Sequence, residues 1–238
     1  FRQAIARVRA RRRKTLGLGS KQAAIADHIP PTEEAKFMKI GIIAGSQRPD
    51  SQSLKVAKCL ETRVPALESG VELYTLDLGT GTVPLWDPSF FSADPSPSKE
   101  AWAPVSKELA SLDGIVVVTP EWHGMVPPAL KNFLLLCTSE LAHKPGMIVS
   151  VSAAMGGSYP MVELRTTGYK NNRICWTPDH VIIRNVGGVM NGGDPAPEEQ
   201  DIVKRCDYSL KLLLEYAKAL RGVRESGAVD LQTYPFGM

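Results

Sequence analysis

Met38-Lys39-Ile40-Gly41-Ile42-Ile43-Ala44-Gly45-Ser46-Gln47-Arg48-Pro49-Asp50-Ser51-Gln52-Ser53-Leu54 is the stretch that decides the fold. Residues 39–44 form a short apolar run that stops at a glycine. An unbroken Ile-rich run marks a strand covered on both faces, as in a parallel sheet, rather than one with a solvated side. The Ser-rich half that follows opens a helix over residues 53–63. Strand, Gly/Ser turn and helix together are the first unit of a parallel α/β domain.

Moving outward, the alternation repeats. Residues 71–76 alternate like a strand, and residues 99–112 are helical with Leu109 and Leu112 on one face. Residues 114–118 are a continuous Ile/Val run, a strand buried on both faces. Residues 128–137 place Leu130, Phe133, Leu134 and Cys137 at helical spacing. Residues 146–151 read as another buried strand, 159–167 as a helix, 180–183 as a fifth strand and 197–220 as a long closing helix. Strands and helices alternating in this way predict a five-stranded parallel sheet with helices on both faces, and right-handed crossovers favour a doubly wound arrangement. Residues 79–98, rich in Pro, Gly and Ser, and the Gly-rich residues 187–197 read as ordered loops. Long loops on an α/β core often serve as lids or subunit contacts. Trp86, Phe90 and Phe91 give the first of them apolar surface.

The 238 residues suit one medium domain with additions, 43% hydrophobic and 22% charged, which excludes a mostly disordered chain. No apolar run approaches the roughly 18 residues a membrane helix needs. Four cysteines with no C-x-x-C pair exclude a disulfide scaffold, make structural zinc a poor reading and favour a reducing, cytoplasmic setting. The net charge of +3 divides unevenly: residues 1–37 hold nine Lys/Arg against three acids, or +6, so the remainder is −3. The basic character belongs to an N-terminal extension, and nothing in the body points to a nucleic-acid partner. Residues 1–37 read as a leader, a tag or a docking segment that could sit on an acidic surface. Their arginines, with no acid before Asp27, also suit an organelle leader. No aromatic residues interleave with them, so single-strand recognition is unsupported. Three regions are thus expected: the extension at 1–37, an α/β domain at 38–221 and a tail at 222–238.

In a doubly wound sheet, ligands bind beyond the carboxyl ends of the strands. After the first strand, Gly45 allows a tight turn, Ser46, Ser51 and Ser53 offer hydroxyls, and a helix start offers free N–H groups. Together they make a phosphate cradle, without the ending of a Walker loop and without G-x-G-x-x-G. The same residues could do no more than cap a helix. After the third strand comes Thr119-Pro120-Glu121-Trp122-His123-Gly124-Met125-Val126-Pro127-Pro128-Ala129-Leu130-Lys131-Asn132, poor for packing but able to present backbone groups to a flat polar heterocycle. Trp122 could equally be a core aromatic, and His123 a loop hydrogen bond. After the fourth strand, Ser152-Ala153-Ala154-Met155-Gly156-Gly157-Ser158 is small enough to admit a ring against the backbone, or is an ordinary turn.

These loops carry a resemblance. Gly45-Ser46-Gln47-Arg48-Pro49-Asp50-Ser51-Gln52-Ser53-Leu54-Lys55-Val56-Ala57 is similar to the G-S-x-R-x-x-S-x-S-R-K-V-A loop of the NAD(P)H-dependent FMN reductases, in the flavodoxin-like superfamily that also holds quinone, azo-dye and chromate reductases. Residues 120–132 resemble that family's P-E-Y-N-G-S-x-P-x-x-L-K-N. The resemblance covers residues 38 to about 221 and none of 1–37. It implies a flavodoxin-like sheet of order 2-1-3-4-5. It implies that Ser46, Arg48, Ser51, Gln52, Ser53 and Leu54 hold the FMN phosphate and ribityl chain. Pro120, Glu121, Trp122, His123 and Gly124 would line the isoalloxazine, with Ser152, Ala154, Gly156 and Gly157 at the ring edge. Leu54, Trp122, His123 and Met125 depart from the frequent Arg, Tyr, Asn and Ser, which bears on pocket shape and substrate.

The implied activity passes a hydride from NAD(P)H to bound FMN and then to a small-molecule acceptor such as a quinone or free flavin, in a homodimer or homotetramer. The cofactor carries the chemistry. No residue is therefore assigned as catalytic, and His123 is the one side chain near the ring that could donate a proton. A flavodoxin-like electron carrier without NAD(P)H activity is the alternative. Carriers of that fold are strongly acidic, which a body near −3 is not.

Overall fold

The computed structural model describes residues 37–192 and 196–236. The expectation of a basic extension falls almost wholly on residues 1–36, outside the described residues.

Five parallel strands, β1 (Lys39–Ala44), β2 (Glu72–Asp77), β3 (Gly114–Pro120), β4 (Pro145–Val151) and β5 (Cys175–Ile183), form one sheet of order β2-β1-β3-β4-β5. This is the expected flavodoxin-like, doubly wound fold. The chain winds outward to β2 in one direction and through β3, β4 and β5 in the other, so the order reverses at β1 and β3. The helices are α1 (Gln52–Leu67), α2 (Pro97–Ser111), α3 (Pro128–Leu136), α4 (Ser158–Arg165) and α5 (Pro197–Glu225). No described helix is long and apolar enough to cross a membrane.

Strand periodicity sorts the core into two layers. Ile40, Ile42, Val116, Val118, Val149 and Val181 face α1 and α5, where Val56, Leu60, Leu210 and Leu213 cover them. Ile43, Ile115, Val117 and Ile148 face α2, α3 and α4 against Trp102, Leu109, Leu130, Phe133 and Leu164. Trp102 and Phe133 meet edge to face, 6.1 Å between centroids. A Cβ at Gly41 would stand 2.4 Å from Leu112 Cδ1, so the bare backbone there leaves room for the buried Leu112 side chain at the end of α2.

Two elements outrun their sequence signal. The fifth strand was expected at 180–183 but begins at Cys175, with a register shift against β4 between Gly146 and Ile148. Pro178 and Asp179 disguise it, and an edge strand tolerates a proline because its outer side carries no ladder. The last helix continues to Glu225, five residues past the expected 220, because Arg221 and Arg224 in its final turns bond Asp113. The 79–98 loop carries two short helical turns, Leu78–Thr80 and Pro88–Phe91, and ends inside α2.

Candidate functional site

Register aligns the strand ends. Ala44 pairs with Val118, Pro120 with Val151, and Val151 with Ile183. The loops after β1, β3, β4 and β5 therefore leave the same edge of the sheet, side by side at the reversal point.

The loop after β1 starts where the Gly45 N–H donates to the Val118 carbonyl at 2.8 Å. A Cβ on Gly45 would lie 2.8 Å from Leu130 Cδ2 and 3.0 Å from that carbonyl, so the turn rests on α3 only as glycine. Ser46 is buried, and its Oγ accepts from the Arg48 N–H at 3.2 Å. Ser51 is the N-cap of α1, its Oγ accepting from the Leu54 N–H at 3.1 Å, while the Lys55 N–H reaches the Ser51 carbonyl. The N–H groups of Gln52 and Ser53, earlier in the same turn, have no intrahelical acceptor. Ser53 is 1% exposed and its Oγ has no partner. Leu54 packs against the core, and Gln52 is exposed.

The loop after β3 is a tight hairpin. Trp122 and Met125 exchange both backbone hydrogen bonds, at 3.2 and 2.9 Å, across His123 (φ +52°) and Gly124 (φ +71°). Positive φ at both central residues is the pattern of a type I′ turn. His123 stands where Asn or Gly is favoured, and its side chain is exposed. Trp122 is 44% exposed, so it is not the core aromatic that its residue type most often makes. The Arg48 guanidinium lies over its ring, 5.5 Å from the centroid, and links the first loop to this one. Just before the hairpin, Pro120 closes β3. Glu121 then reaches across, its Oε2 accepting from the Gly157 N–H at 2.5 Å. A Cβ on Gly156 would meet Glu121 Oε1 at 2.7 Å, and one on Gly157 (φ +106°) would meet Ile182 at 2.5 Å. The two glycines are thus fixed by packing and backbone shape.

In the loop after β4, Ser152 Oγ accepts from the Ala154 N–H. The carbonyls of Ser152, Ala154 and Met155 accept from Val186 N–H, Asn185 N–H and Arg184 Nε of the loop after β5. Met155 and Tyr159 are about 70% exposed, and Tyr159 sits next to Gly124.

All the sequence-assigned residues come to this one edge: Ser46, Arg48, Ser51, Gln52, Ser53 and Leu54; Pro120, Glu121, Trp122, His123 and Gly124; Ser152, Ala154, Gly156 and Gly157. Two contributors, Gly79 and Ser150, carried no recognised signal. Gly79, at the end of β2, presses on the first loop so closely that a Cβ would lie 2.5 Å from the Arg48 carbonyl oxygen. Its position just past a strand end was the available clue. Ser150 is buried without a partner for its Oγ, close beneath Gly157. Lys55 stands within the first motif and the loop after β5 within the Gly-rich stretch, but neither was assigned to the site, and the structure joins them.

Part of the second motif proves to be scaffolding. Asn132 accepts from the Trp86 N–H and donates to the Pro84 carbonyl, strapping the 79–98 loop to α3. Lys131 pairs with Glu163, which also accepts from the Val126 N–H at 2.7 Å. Burial pushes the Glu163 carboxyl up, but these two partners outweigh it and hold it below its ordinary value.

A family profile described as NADPH-dependent FMN reductase matches residues 38–187. The chain is 32% identical over 129 residues to a quinone reductase of Pseudomonas putida, a match spanning 52% of this chain and 65% of that protein's length. It is 29% identical to an NADPH azoreductase of a Bacillus species, over 77% of this chain and 98% of that protein. In fold it is similar to a flavoenzyme NAD(P)H:(acceptor) oxidoreductase of Paracoccus denitrificans, with a TM-score of 0.60 at 17% identity over 76% of this chain and 98% of that one. With the family profile covering well over half of its length, the chain belongs to the NADPH-dependent FMN reductase family.

Proposed function

We propose that the chain is an NAD(P)H-dependent oxidoreductase that reduces a small acceptor, such as a quinone or free flavin, by way of FMN held at the carboxyl ends of β1, β3 and β4. The observation that carries this reading is the first turn of α1. There the buried, unpartnered Ser53 Oγ joins the open N–H groups of Gln52 and Ser53 at a helix N-terminus, a donor set that fits a phosphate monoester. Ser209 on α5 has an equally orphaned hydroxyl, so burial alone does not mark a site. Position at the sheet's reversal point does.

FMN, when bound, supplies the redox chemistry by accepting a hydride from NAD(P)H and passing electrons to the acceptor. The chain's own residues bind and orient. Ser46 and Ser51 hydroxyls already accept from the backbone and keep their protons to donate, and Arg48 adds positive charge. Pro120, Trp122, His123 and Gly124 form one wall for a flat heterocycle. Ser152, Ala154, Gly156 and Gly157 bring backbone to its edge with little side-chain bulk. Glu121 fixes the last of these loops through the Gly157 N–H.

We also place the protein in the cytoplasm, where its four unpaired cysteines would stay reduced, as a homodimer or homotetramer. Leu85, Phe91 and Leu135, each more than 60% exposed, supply apolar surface for subunit contact. The basic extension acts on location, partners or assembly, outside the 38–221 domain.

The test is a visible spectrum of the purified protein titrated anaerobically with NAD(P)H, with mass spectrometry of the released cofactor. A flavin spectrum that bleaches, with FMN released, supports the reading. A colourless protein that binds no added FMN, or one that releases only FAD, overturns it. Bound FMN that NADH and NADPH both fail to bleach would favour the electron-carrier alternative.

A further inference from the structure

Lys55 lies one turn into α1, behind the proposed phosphate cradle. Its ammonium donates to the Val186 carbonyl at 2.7 Å, the Val189 carbonyl at 2.7 Å and Asn191 Oδ1 at 2.8 Å. A lysine ammonium has three donors, and here all three are taken by one loop, the segment after β5. That segment in turn holds the loop after β4. Val186 N–H donates to the Ser152 carbonyl and Asn185 N–H to the Ala154 carbonyl, both at 3.0 Å, and Arg184 Nε donates to the Met155 carbonyl at 2.7 Å. An unbroken chain of hydrogen bonds therefore runs from the first turn of α1, through Lys55 and residues 184–191, to residues 152–155.

We infer that Lys55 is a positioning residue that sets the loop after β4 at a fixed distance from the first turn of α1. This inference rests on the proposed FMN site, where those two segments would meet the ring edge and the phosphate of one ligand. Covalently, they are joined only through most of the domain. Lys55 ties them through one intervening segment, residues 184–191.

A cleft of about 470 Å³ opens beside Lys55, lined also by Cys59, Arg63, Asn191 and Glu199. With its three donors engaged, the ammonium has none left for a ligand there, which separates this role from an anion-binding one. Arginine is no substitute, because a planar guanidinium cannot aim three donors at the corners of a tripod.

The experiment compares the full chain with Lys55→Met and Lys55→Arg. Hydrogen–deuterium exchange of the flavin-free proteins reads the tie without any ligand, and FMN fluorescence titration reads its consequence. In Lys55→Met, exchange at residues 152–157 and 184–192 should quicken while β1 and β3 stay protected. The FMN dissociation constant should rise about tenfold or more, as expected for the loss of charge-assisted hydrogen bonds. Lys55→Arg should fall between the two. If Lys55→Met fails to fold, Asn191→Ala, which removes one acceptor, should show the same exchange pattern in weaker form. Unchanged exchange at both loops overturns the inference. So does faster exchange spread over the whole sheet, which would make Lys55 an ordinary stabilising residue. An intact protein that never binds FMN refutes the proposed function instead, and the exchange result still decides the tie.

Discussion

Asp113 sits in the turn between α2 and β3, at the edge of the sheet opposite the candidate site, and its removal is predicted to cost stability without touching flavin binding. Its carboxylate accepts from Arg221 through Nε at 3.0 Å and through Nη2, from Arg224 Nη2 at 2.8 Å and from the Lys39 N–H at 3.1 Å. The side chain is 11% exposed, and those of Arg221 and Arg224 are 25% and 18% exposed. Stripping one partner from a buried ion pair typically costs about 3–5 kcal/mol, because the other charge is left behind without compensation. Water reaches both guanidinium groups in part, so the lower end applies: about 3 kcal/mol for Asp113→Ala, with Asp113→Asn between it and the parent chain. For a domain near this size that lowers the melting midpoint by roughly 6–12 °C. Burial raises the Asp113 pKa, but Arg221 and the Lys39 N–H outweigh it and the net shift is downward. A depressed carboxylate stabilises above its unfolded pKa and loses that contribution as pH falls through its folded value. The parent's advantage over Asp113→Ala should therefore shrink in acid. The assay is urea and thermal unfolding followed by circular dichroism at neutral and acid pH, with FMN titration below the transition. A loss under about 1 kcal/mol, against the 3–5 expected of a buried pair, would refute the reasoning. So would an FMN affinity that falls along with stability in protein still fully folded.

The Lys144 ammonium is buried against the Leu109 and Ala110 carbonyls, and burial lowers its pKa to about 8. The unfolded chain then binds more protons between that value and the ordinary 10.5, so stability should rise across this window, and Lys144→Met should flatten the rise in urea midpoints measured from neutral to alkaline pH. Gly157→Ala forces an L side chain to φ +106° and against Ile182, a backbone strain of about 1–3 kcal/mol before the clash is counted; FMN titration should show weaker binding by a folded protein, and unchanged affinity would mean that the loop tolerates a Cβ. Arg48→Ala and Ser51→Ala should each weaken FMN binding, by about 1.5–3 kcal/mol where a charge-assisted bond is lost, while hydride transfer at saturating FMN stays near the parent rate in stopped-flow reduction. A chain starting at Met38 should keep its FMN content and NAD(P)H turnover, since the first strand begins at Lys39; loss of either in a folded protein would bring the extension into the active site.

Legibility in the sequence followed how local each cause was. β1 and β3 are read to within two residues of their ends, because both runs are short, rich in Ile and Val, and bounded by glycine and turn residues. The start of β5 is lost, because Pro178 and Asp179 read locally as a loop and only the neighbouring β4 makes them strand. The final turn of α5 depends on Asp113, 108 residues before Arg221, which no window on the sequence contains. The same division runs through the site. Gly45, the Ser-rich loop and the Gly156-Gly157 pair are visible, because they stand just past strand ends, where a doubly wound sheet binds its ligands. The His123-Gly124 turn is hidden, because histidine is a rare choice at positive φ. Glu121 reaching Gly157, and Gly79 against Arg48, join segments distant in sequence.

The frame of the site is made chiefly of backbone. Gly45 bonds Val118, Trp122 bonds Met125, and Val186 and Asn185 bond Ser152 and Ala154, all through main-chain groups that any residue supplies. Among the side chains that fasten it, Glu121, Asn132, Lys55 and Arg184 reach to backbone amides and carbonyls, with Asn191 Oδ1 as the single side-chain acceptor for these four. The exposed rim, Trp122, His123, Met125, Met155 and Tyr159, takes little part in these bonds through its side chains, Trp122 alone engaging Arg48. Substitution at Met125, Met155 or Tyr159 should therefore alter what meets a ligand at the mouth without loosening the frame beneath, as should substitution at His123 by a residue such as Asn that accepts its positive φ. The departures at His123 and Met125 from the family's frequent Asn and Ser fall on this rim. Under the proposed function they would bear on which acceptor fits rather than on whether the sheet-end loops hold a flavin.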